Sequence, residues 1–219
     1  MATGYFTKWN GYFYEEVPYK TIPNLNDWKR KSQETDLTED KIREHADEVN
    51  WKAISNKQNL SEAFMREYEE NVNWKAASNS QTMSLDFIRE NADRLNWSGL
   101  LHHFKFDVEF LDEMAHYLDW EEVSEYQKLT PKFMDKYVDK LNLTILGRSQ
   151  RLTEEFMGLY RDKMNWWVVI AHQKLSEEFL EYHFNNYWHG HVRALWKGIC
   201  KYQKHLSPEF KNRMWKKIK

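Results

Sequence analysis

Residues 60–82 read LSEAFMREYEENVNWKAASNSQT, and the pattern of this segment returns every 23 residues along the chain. An apolar residue opens each copy, a Ser, Thr or Asp follows it, and in six of seven copies a Phe stands three positions after that residue. Most copies later contain an Asn-Trp or Asp-Trp pair and a closing Gln. Repetition at a fixed period of this length is typical of repeat architectures. Full copies begin at residues 37, 60, 83, 106, 129, 152 and 175.

Each copy predicts two helices. Ser61 is expected to cap the first, because its hydroxyl can accept a hydrogen bond from a free N–H group at a helix start. Apolar residues then recur at helical spacing over residues 64–72, which predicts a helix A of about three turns with one apolar face. Asn73 is expected to cap a shorter helix B that begins at Trp74.

Two short helices cannot bury their shared apolar face alone, so stacked copies predict an all-α fold, an α-solenoid of seven helix-turn-helix repeats over residues 27–219. An isolated helix B at Asp27-Trp28 precedes the first full copy, and residues 206–219 predict a capping helix. By alignment, the seventh copy contains an insertion at about residues 185–195. Residues 1–26 depart from the pattern, and Asn10-Gly11 between aromatic runs predicts a small N-terminal β-hairpin.

Composition narrows the class of protein. Charged residues make up 30% of the chain and the mean hydropathy is −0.88, with no apolar run long enough to span a bilayer. The first residues lack the pattern of a signal peptide, so we expect a cytoplasmic protein. Residues 37–120 contain 9 basic and 17 acidic side chains, whereas residues 186–219 contain 9 basic and 1 acidic. The charge is therefore strongly uneven along a chain whose net charge is only −2.

Copies of the form Leu-Ser-Glu-Glu-Phe, then Asn-Trp, then Gln-Lys resemble a short helical repeat found in uncharacterised proteins of bacteriophages and large DNA viruses. The resemblance covers roughly residues 37–219. It implies a viral or phage origin and a role in engaging a host protein, such as a defence component, in the host cytoplasm. It implies no catalytic residue.

The repeated Trp, Gln and Ser residues each allow a structural and a ligand-binding interpretation. Aromatic side chains in a row can stack on single-stranded nucleic acid, but recurrence at the same place in every copy favours a role in the core. The closing Gln and the Ser of helix B are expected to bond to the loop backbone between copies, because buried turns leave carbonyl groups that need donors. These Ser residues are Ser55, Ser78 and Ser124.

No enzymatic motif is present in the sequence: glycine-rich phosphate loops, nucleophile elbows and metalloprotease motifs are all missing. Four late residues, His183, His189, His191 and Cys200, could form a zinc site, but their spacing matches no established ligand pattern. We therefore predict a non-enzymatic protein with no catalytic residue, no cofactor and no metal, and the zinc site stays an open alternative.

Departures from the repeat point to function. Late copies carry apolar residues where early copies carry charged ones, and such exposed apolar surface marks either a partner site or a face covered by the same chain. The insertion at 185–195 could be that cover. The candidate partner-binding residues, with the basic residues near them, are Ile145, Leu159, Trp167, Val168, Tyr182, Arg193, Lys197 and Lys201.

The favoured function is therefore a protein-binding scaffold. The alternative is a nucleic-acid binder that uses the basic C-terminal end, for which binding should weaken steeply with salt. Self-association through the uneven charge is also open, and an enzyme is the third and least supported class. No membrane partner is expected.

Overall fold

A computed structural model describes residues 5–9, 14–18, 27–34, 36–188 and 192–218, with side chains from residue 27 onward. The described part is predominantly α-helical. Helices B are α1 (Trp28–Lys31), α3 (Trp51–Lys57), α5 (Trp74–Ser78), α7 (Trp97–His103), α9 (Trp120–Tyr126), α11 (Leu143–Ser149), α13 (Trp166–His172) and α15 (Val192–Tyr202). Helices A are α2 (Glu39–Glu44), α4 (Glu62–Glu67), α6 (Leu85–Glu90), α8 (Val108–Glu113), α10 (Pro131–Lys136), α12 (Glu154–Leu159), α14 (Glu177–Asn186) and α16 (Pro208–Ile218).

Two short strands precede the helices. Strand β1 (Tyr5–Trp9) pairs antiparallel with β2 (Tyr14–Pro18), so that Trp9 lies opposite Tyr14. The predicted turn at Asn10-Gly11 lies outside the described residues, and so does most of the segment that leads to α1.

Helices A and B alternate along the chain, as expected for a helical repeat. From α2 to α14 each helix A begins 23 residues after the one before it, and helices B from α1 to α13 follow the same spacing. The predicted caps are confirmed. The Ser61 hydroxyl accepts the Phe64 N–H at 3.1 Å, and the Asn73 side chain accepts the Ala76 N–H at 2.9 Å. Local capping chemistry therefore sets where each helix starts.

Helix A is shorter than the sequence suggested. The apolar spacing predicted about three turns, whereas α4 ends at Glu67 after six residues. Tyr68 has φ −113° and ψ 35°, which ends the helix, and a tight turn follows in which the Val72 N–H donates to the Tyr68 carbonyl. The turn keeps Val72 buried, so the apolar periodicity continues beyond the helix that it predicted.

The insertion in the seventh copy lengthens the helices on either side of it. Helix α14 has 10 residues against six in α4, and α15 has 11 against seven in α3. Trp188, between the two, is buried against the ring of Trp166 with centroids 5.0 Å apart. Residues 189–191 lie outside the described part. Pro208 opens α16, as predicted from its missing N–H group.

The contacts divide the chain into two compact units, unit 1 over residues 1–96 and unit 2 over residues 97–219. Within unit 1, α3 packs directly on α5. Within unit 2, consecutive helices B pack on one another from α7 to α15. Helices B therefore form a closely packed layer in each unit, and helices A form the other layer.

The repeated Trp lies against the Phe of the following helix A, as the core interpretation predicted. The rings of Trp74 and Phe87 lie 6.1 Å apart in unit 1, and those of Trp120 and Phe133 lie 6.3 Å apart in unit 2. Phe87 is fully buried. Where a copy carries the Trp, an aromatic contact thus joins the end of that copy to the start of the next, and Leu143 takes the Trp position in the remaining full copy.

The predicted bonds of Gln and Ser to the loop backbone are also confirmed. Gln81 accepts the Leu60 N–H at 3.0 Å and donates to the Ser55 and Gln58 carbonyls at 2.9 and 2.6 Å. Gln173 and Gln203 repeat this arrangement in unit 2. These buried amides satisfy the turn between copies, where the backbone cannot satisfy itself.

Candidate functional site

A regular set of ion pairs connects neighbouring helices A. In unit 1, Arg43 binds Glu67 with both carboxylate oxygens within 3.1 Å, and Arg66 binds Glu90 at 2.7 Å. The hydrogen bonds that the Arg43 guanidinium donates to Glu67 and Asp40, with the negative charges of these carboxylates, raise the pKa of Arg43. Each pair joins a residue to the residue 24 positions later, which is the adjacent position in the next copy. We call this row of cross-repeat pairs the ladder.

The ladder continues in unit 2 with the charges reversed. Lys136 pairs with Asp112, and the ammonium group with the Tyr137 hydroxyl lowers the pKa of the Asp112 carboxyl. Further along, Glu181 accepts from Arg213 at 2.8 Å and from Lys217 at 2.7 Å, which lowers the pKa of Glu181.

Two consecutive steps between these pairs cannot form an ion pair. The residue 24 positions after Asp135 is Leu159, and the residue 24 positions after Gly158 is Tyr182. At least one member of each pair is uncharged, so neither pair can form a salt bridge. Leu159 and Tyr182 keep 64% and 55% of their surface exposed. We call Leu159, Tyr182 and the neighbouring Tyr187, whose hydroxyl lies 3.2 Å from that of Tyr182, the A surface.

A second apolar strip lies on helices B of unit 2. Trp167 is 54% exposed, and its indole ring lies over Gly198 of α15, so that a Cβ atom at Gly198 would be 3.5 Å from the ring. Val168 likewise packs over Gly147 of α11. Ile145 and Val168 are half-buried beside Trp167, and Lys197 and Lys201 are exposed on α15. We call Ile145, Trp167, Val168, Lys197 and Lys201 the B surface.

The structure thus distributes the predicted partner-binding residues over two layers rather than one patch. Leu159 and Tyr182 belong to helices A, whereas Ile145, Trp167, Val168, Lys197 and Lys201 belong to helices B. Arg193 lies on α15, and its guanidinium donates to the Ile218 carbonyl at 3.4 Å. The position of each residue within its copy already predicted helix A or helix B, but their shared departure from the repeat led to one combined candidate site.

The described part of the insertion does not cover these surfaces. Trp188 and Leu195 turn inward and are buried, while Leu159, Trp167 and Tyr182 all stay more than half exposed. The alternative that the insertion hides the apolar residues is therefore not supported by residues 185–188 and 192–195, and residues 189–191 are outside the described part.

The late titratable residues do not assemble into a reactive site among the residues described. His183 is buried, its Nδ1 lies 2.9 Å from the Phe179 carbonyl, and burial lowers its pKa. Burial also raises the pKa of the Cys200 thiol, which disfavours the reactive thiolate. His189 and His191 lie outside the described residues, and the remainder contains no group of three or more His, Cys, Asp or Glu suited to a metal ion.

Sequence reasoning missed the ladder, although a signal for it was present. Arg43 and Arg66 stand 24 residues before Glu67 and Glu90, one more than the repeat period. A search for opposite charges at the period plus one would have found these pairs and the two steps at which they fail.

Comparison with known proteins gives no relative: no family model matches the chain, and no significant match appears among curated proteins or solved structures. Across the residues described, no helix combines the length and apolarity needed to cross a bilayer.

Proposed function

We propose that this chain is a non-enzymatic helical-repeat scaffold that binds a protein partner through unit 2. The observation that carries the proposal is the exposure of Leu159 and Tyr182 at two consecutive positions of the ladder. At the same positions in unit 1, Glu67 and Glu90 are ion-paired. Large apolar side chains that replace paired charges at solvent positions are typical of interaction sites.

The B surface supports the same proposal. Trp167 stands at the position held by Lys52 and Lys75 in unit 1, and its exposed ring lies over Gly198 of α15, the helix that carries Lys197 and Lys201. Trp and Tyr side chains are enriched among the energetic centres of protein interfaces. A matching partner would carry an apolar spot rimmed by acidic residues. We further propose, following the resemblance of the repeats, that the partner is a host protein and that the chain is a viral or phage factor that sequesters it.

Nucleic acid is the weaker candidate for unit 2. Two cations of the C-terminal end, Arg213 and Lys217, are already paired with Glu181. This pairing reduces the positive charge that remains to neutralise phosphates.

The test replaces exposed apolar residues of unit 2 by the charged residues that stand at the same repeat positions in unit 1. Leu159→Glu and Trp167→Lys introduce residues that the same positions carry in unit 1, so the helices should tolerate them. We expect the double variant to lose at least tenfold in affinity for the partner, because the apolar centres of both surfaces disappear. Partner capture from host extract, quantified by mass spectrometry for parent and variant side by side, is the measurement.

Leu85→Glu is the matched control. Leu85 is an exposed apolar residue of unit 1 at a position where Glu39 and Glu62 stand in other copies, so this change has the same chemistry outside the proposed site. The captured protein should be retained by Leu85→Glu. Equal capture by parent and double variant, with unchanged circular dichroism, would contradict the proposal, and salt-sensitive capture of nucleic acid alone would replace it.

A further inference from the structure

A groove of about 600 Å³ crosses the layer of helices B in unit 1. It is lined by residues of α3 and α5, by their capping residues and by Gln33, which follows α1, and we call the buried Ala53 and Ala76 its floor. The same position holds Ile145 and Val168 in unit 2. Ala53 and Ala76 therefore leave more room at this position than Ile145 and Val168 do.

The groove is cationic. Lys52, Lys57 and Lys75 line it and are exposed, and no carboxylate is among the lining residues. Within the described part of the chain, none of these three ammonium groups forms an ion pair. Lysines elsewhere do, for example Lys41 with Glu44 at 2.6 Å. Unit 1 thus holds three uncompensated charges along one groove, within a segment rich in acidic side chains.

Most of the Lys and Asn side chains that line the groove recur at equivalent positions of consecutive copies. Lys52 and Lys75 occupy the same position in consecutive copies, and Asn56 lies one turn after Lys52 on the same helix. The cap residues Asn50 and Asn73 accept backbone N–H groups through their side-chain oxygens, which leaves their NH₂ groups as donors at the groove. Each of the two copies therefore offers a lysine at the same position, with amide donors beside it, to a ligand lying across the helices, and Lys57 adds a third ammonium group in the first copy.

We propose that this groove binds an extended acidic polypeptide whose carboxylates are three residues apart. Packed helices lie about 8–10 Å apart, and a polyproline II segment advances about 9 Å in three residues. A carboxylate at every third residue would then face successive lysines. The peptide carbonyls have no internal hydrogen bonds in that conformation, so they match the amide donors of the groove.

Two other occupants fit less well. Single-stranded nucleic acid is held by stacking on aromatic rings, and none of the lining residues is aromatic. A second copy of the chain could offer the acidic helix α9, but Glu122 of α9 already bonds Ser98 and His102 and Glu125 bonds Arg148. A partner peptide with free carboxylates has no such competition.

The test uses the full chain and a labelled peptide of four Glu-Pro-Pro triplets, with fluorescence anisotropy as the readout. Two peptides serve as comparisons: four Gln-Pro-Pro triplets, and a peptide of the same composition with its four Glu adjacent. We expect the triplet acidic peptide to bind at least tenfold more tightly than the neutral peptide and several-fold more tightly than the one with adjacent Glu.

Variants assign the binding to the groove. Lys52→Gln with Lys75→Gln should weaken binding about tenfold, whereas Lys128→Gln with Lys174→Gln, which removes two exposed lysines of unit 2, should leave it unchanged. Ala76→Val should weaken binding without changing the charge, since it fills the floor with a residue that Val168 shows the repeat accepts.

Three results would overturn the inference. These are equal binding of acidic and neutral peptides, tighter binding of a single-stranded oligonucleotide that depends on the same lysines, and self-association in sedimentation that Lys52→Gln with Lys75→Gln abolishes. The groove belongs to unit 1 and the proposed partner surfaces to unit 2. Peptide binding should therefore survive Leu159→Glu with Trp167→Lys, and either proposal can fail alone.

Discussion

At the scale of single residues, the closing Gln satisfies more of the backbone than any other side chain of the repeat. Gln81 is buried and serves three backbone groups of its own and the preceding copy, at Leu60, Ser55 and Gln58. No water can replace a partner that is enclosed on all sides. If the side chain is removed, each of these buried backbone groups loses its hydrogen-bond partner. The full desolvation penalty of each group then lowers the free energy of unfolding.

Gln81→Met should therefore destabilise unit 1 by about 2–3 kcal/mol, because Met preserves the volume but supplies neither donor nor acceptor. Hydrogen exchange at the Leu60 amide should accelerate in parallel. Denaturant unfolding followed by circular dichroism measures the first effect and exchange mass spectrometry the second. Gln33→Met, at an exposed Gln of the same unit, is the control and should change stability by less than about 0.5 kcal/mol. A loss no larger than that of the control would show that the three bonds contribute nothing.

The residue scale also shows what the sequence can and cannot predict. The caps at Ser61 and Asn73 were predictable because capping depends only on the next three residues. The Ser55 hydroxyl was predicted to bond to the backbone, and it donates to the Trp51 carbonyl at 2.7 Å. Its second bond, from the Asn73 N–H 18 residues away at 2.9 Å, required knowledge of how neighbouring copies stack.

At the scale of helices, the position of Trp167 depends on its neighbour α15. The indole ring rests on Gly198, and Ile170 also approaches the same glycine. A Cβ atom there would meet both side chains at 3.5 Å, which is an ordinary van der Waals distance. The glycine is therefore not required by contact, although it lowers the stability of the helix that contains it.

Gly198→Ala should stabilise unit 2 by about 0.5–1 kcal/mol, since alanine removes the entropic cost of a glycine inside a helix. A larger side chain, as in Gly198→Leu, should displace the Trp167 ring and destabilise the unit. Thermal unfolding of both variants measures the two effects. A loss of stability in Gly198→Ala would mean that the ring lies closer to the backbone than the contact distance allows.

The helices themselves were largely predictable, and their ends were not. Seven starts of helix A follow from an apolar residue and a capping side chain at fixed spacing. The end of α4 at Glu67 did not follow, because the apolar pattern continues to Val72 through a turn. The insertion was predicted at about 185–195, but the greater length of α14 and α15 on either side of it, with Trp188 and Leu195 buried, was not predicted.

At the scale of the whole molecule, the repeat determines which of the proposed binding surfaces can be predicted from the sequence. Leu159 and Trp167 stand out because they depart from their own repeat. The groove of unit 1 does not, since Lys52 and Lys75 agree with each other and an exposed Lys is ordinary on a helix surface. Such lysines stand out as a site only once the structure shows that they share a groove and form no ion pair among the described residues, so the groove was not predictable from the repeat.

The two kinds of titratable group in unit 2 act in different pH ranges. His183 is buried neutral, with Arg161 disfavouring and Glu154 favouring its protonation, and its pKa is lowered chiefly by burial. The unfolded chain, where the pKa of His is about 6.5, therefore binds the proton more readily than the native state. The carboxyls of Asp112, Glu177 and Glu181 have lowered pKa values, so their contribution is complete above about pH 5.

Unit 2 should consequently lose stability as pH falls from 7.5 to 5.5, in a window where these carboxylates contribute no change. The slope due to His183 can reach at most about 1.4 kcal/mol per pH unit, the value for uptake of one proton on unfolding. His183→Phe should remove this slope, whatever it does to stability at pH 7.5, because Phe fills the aromatic site without a titrating group. The exposed His172→Gln should retain it. Urea unfolding of the three proteins at half-unit pH intervals gives the slopes, and a slope that persists in His183→Phe would assign the acid sensitivity to another group.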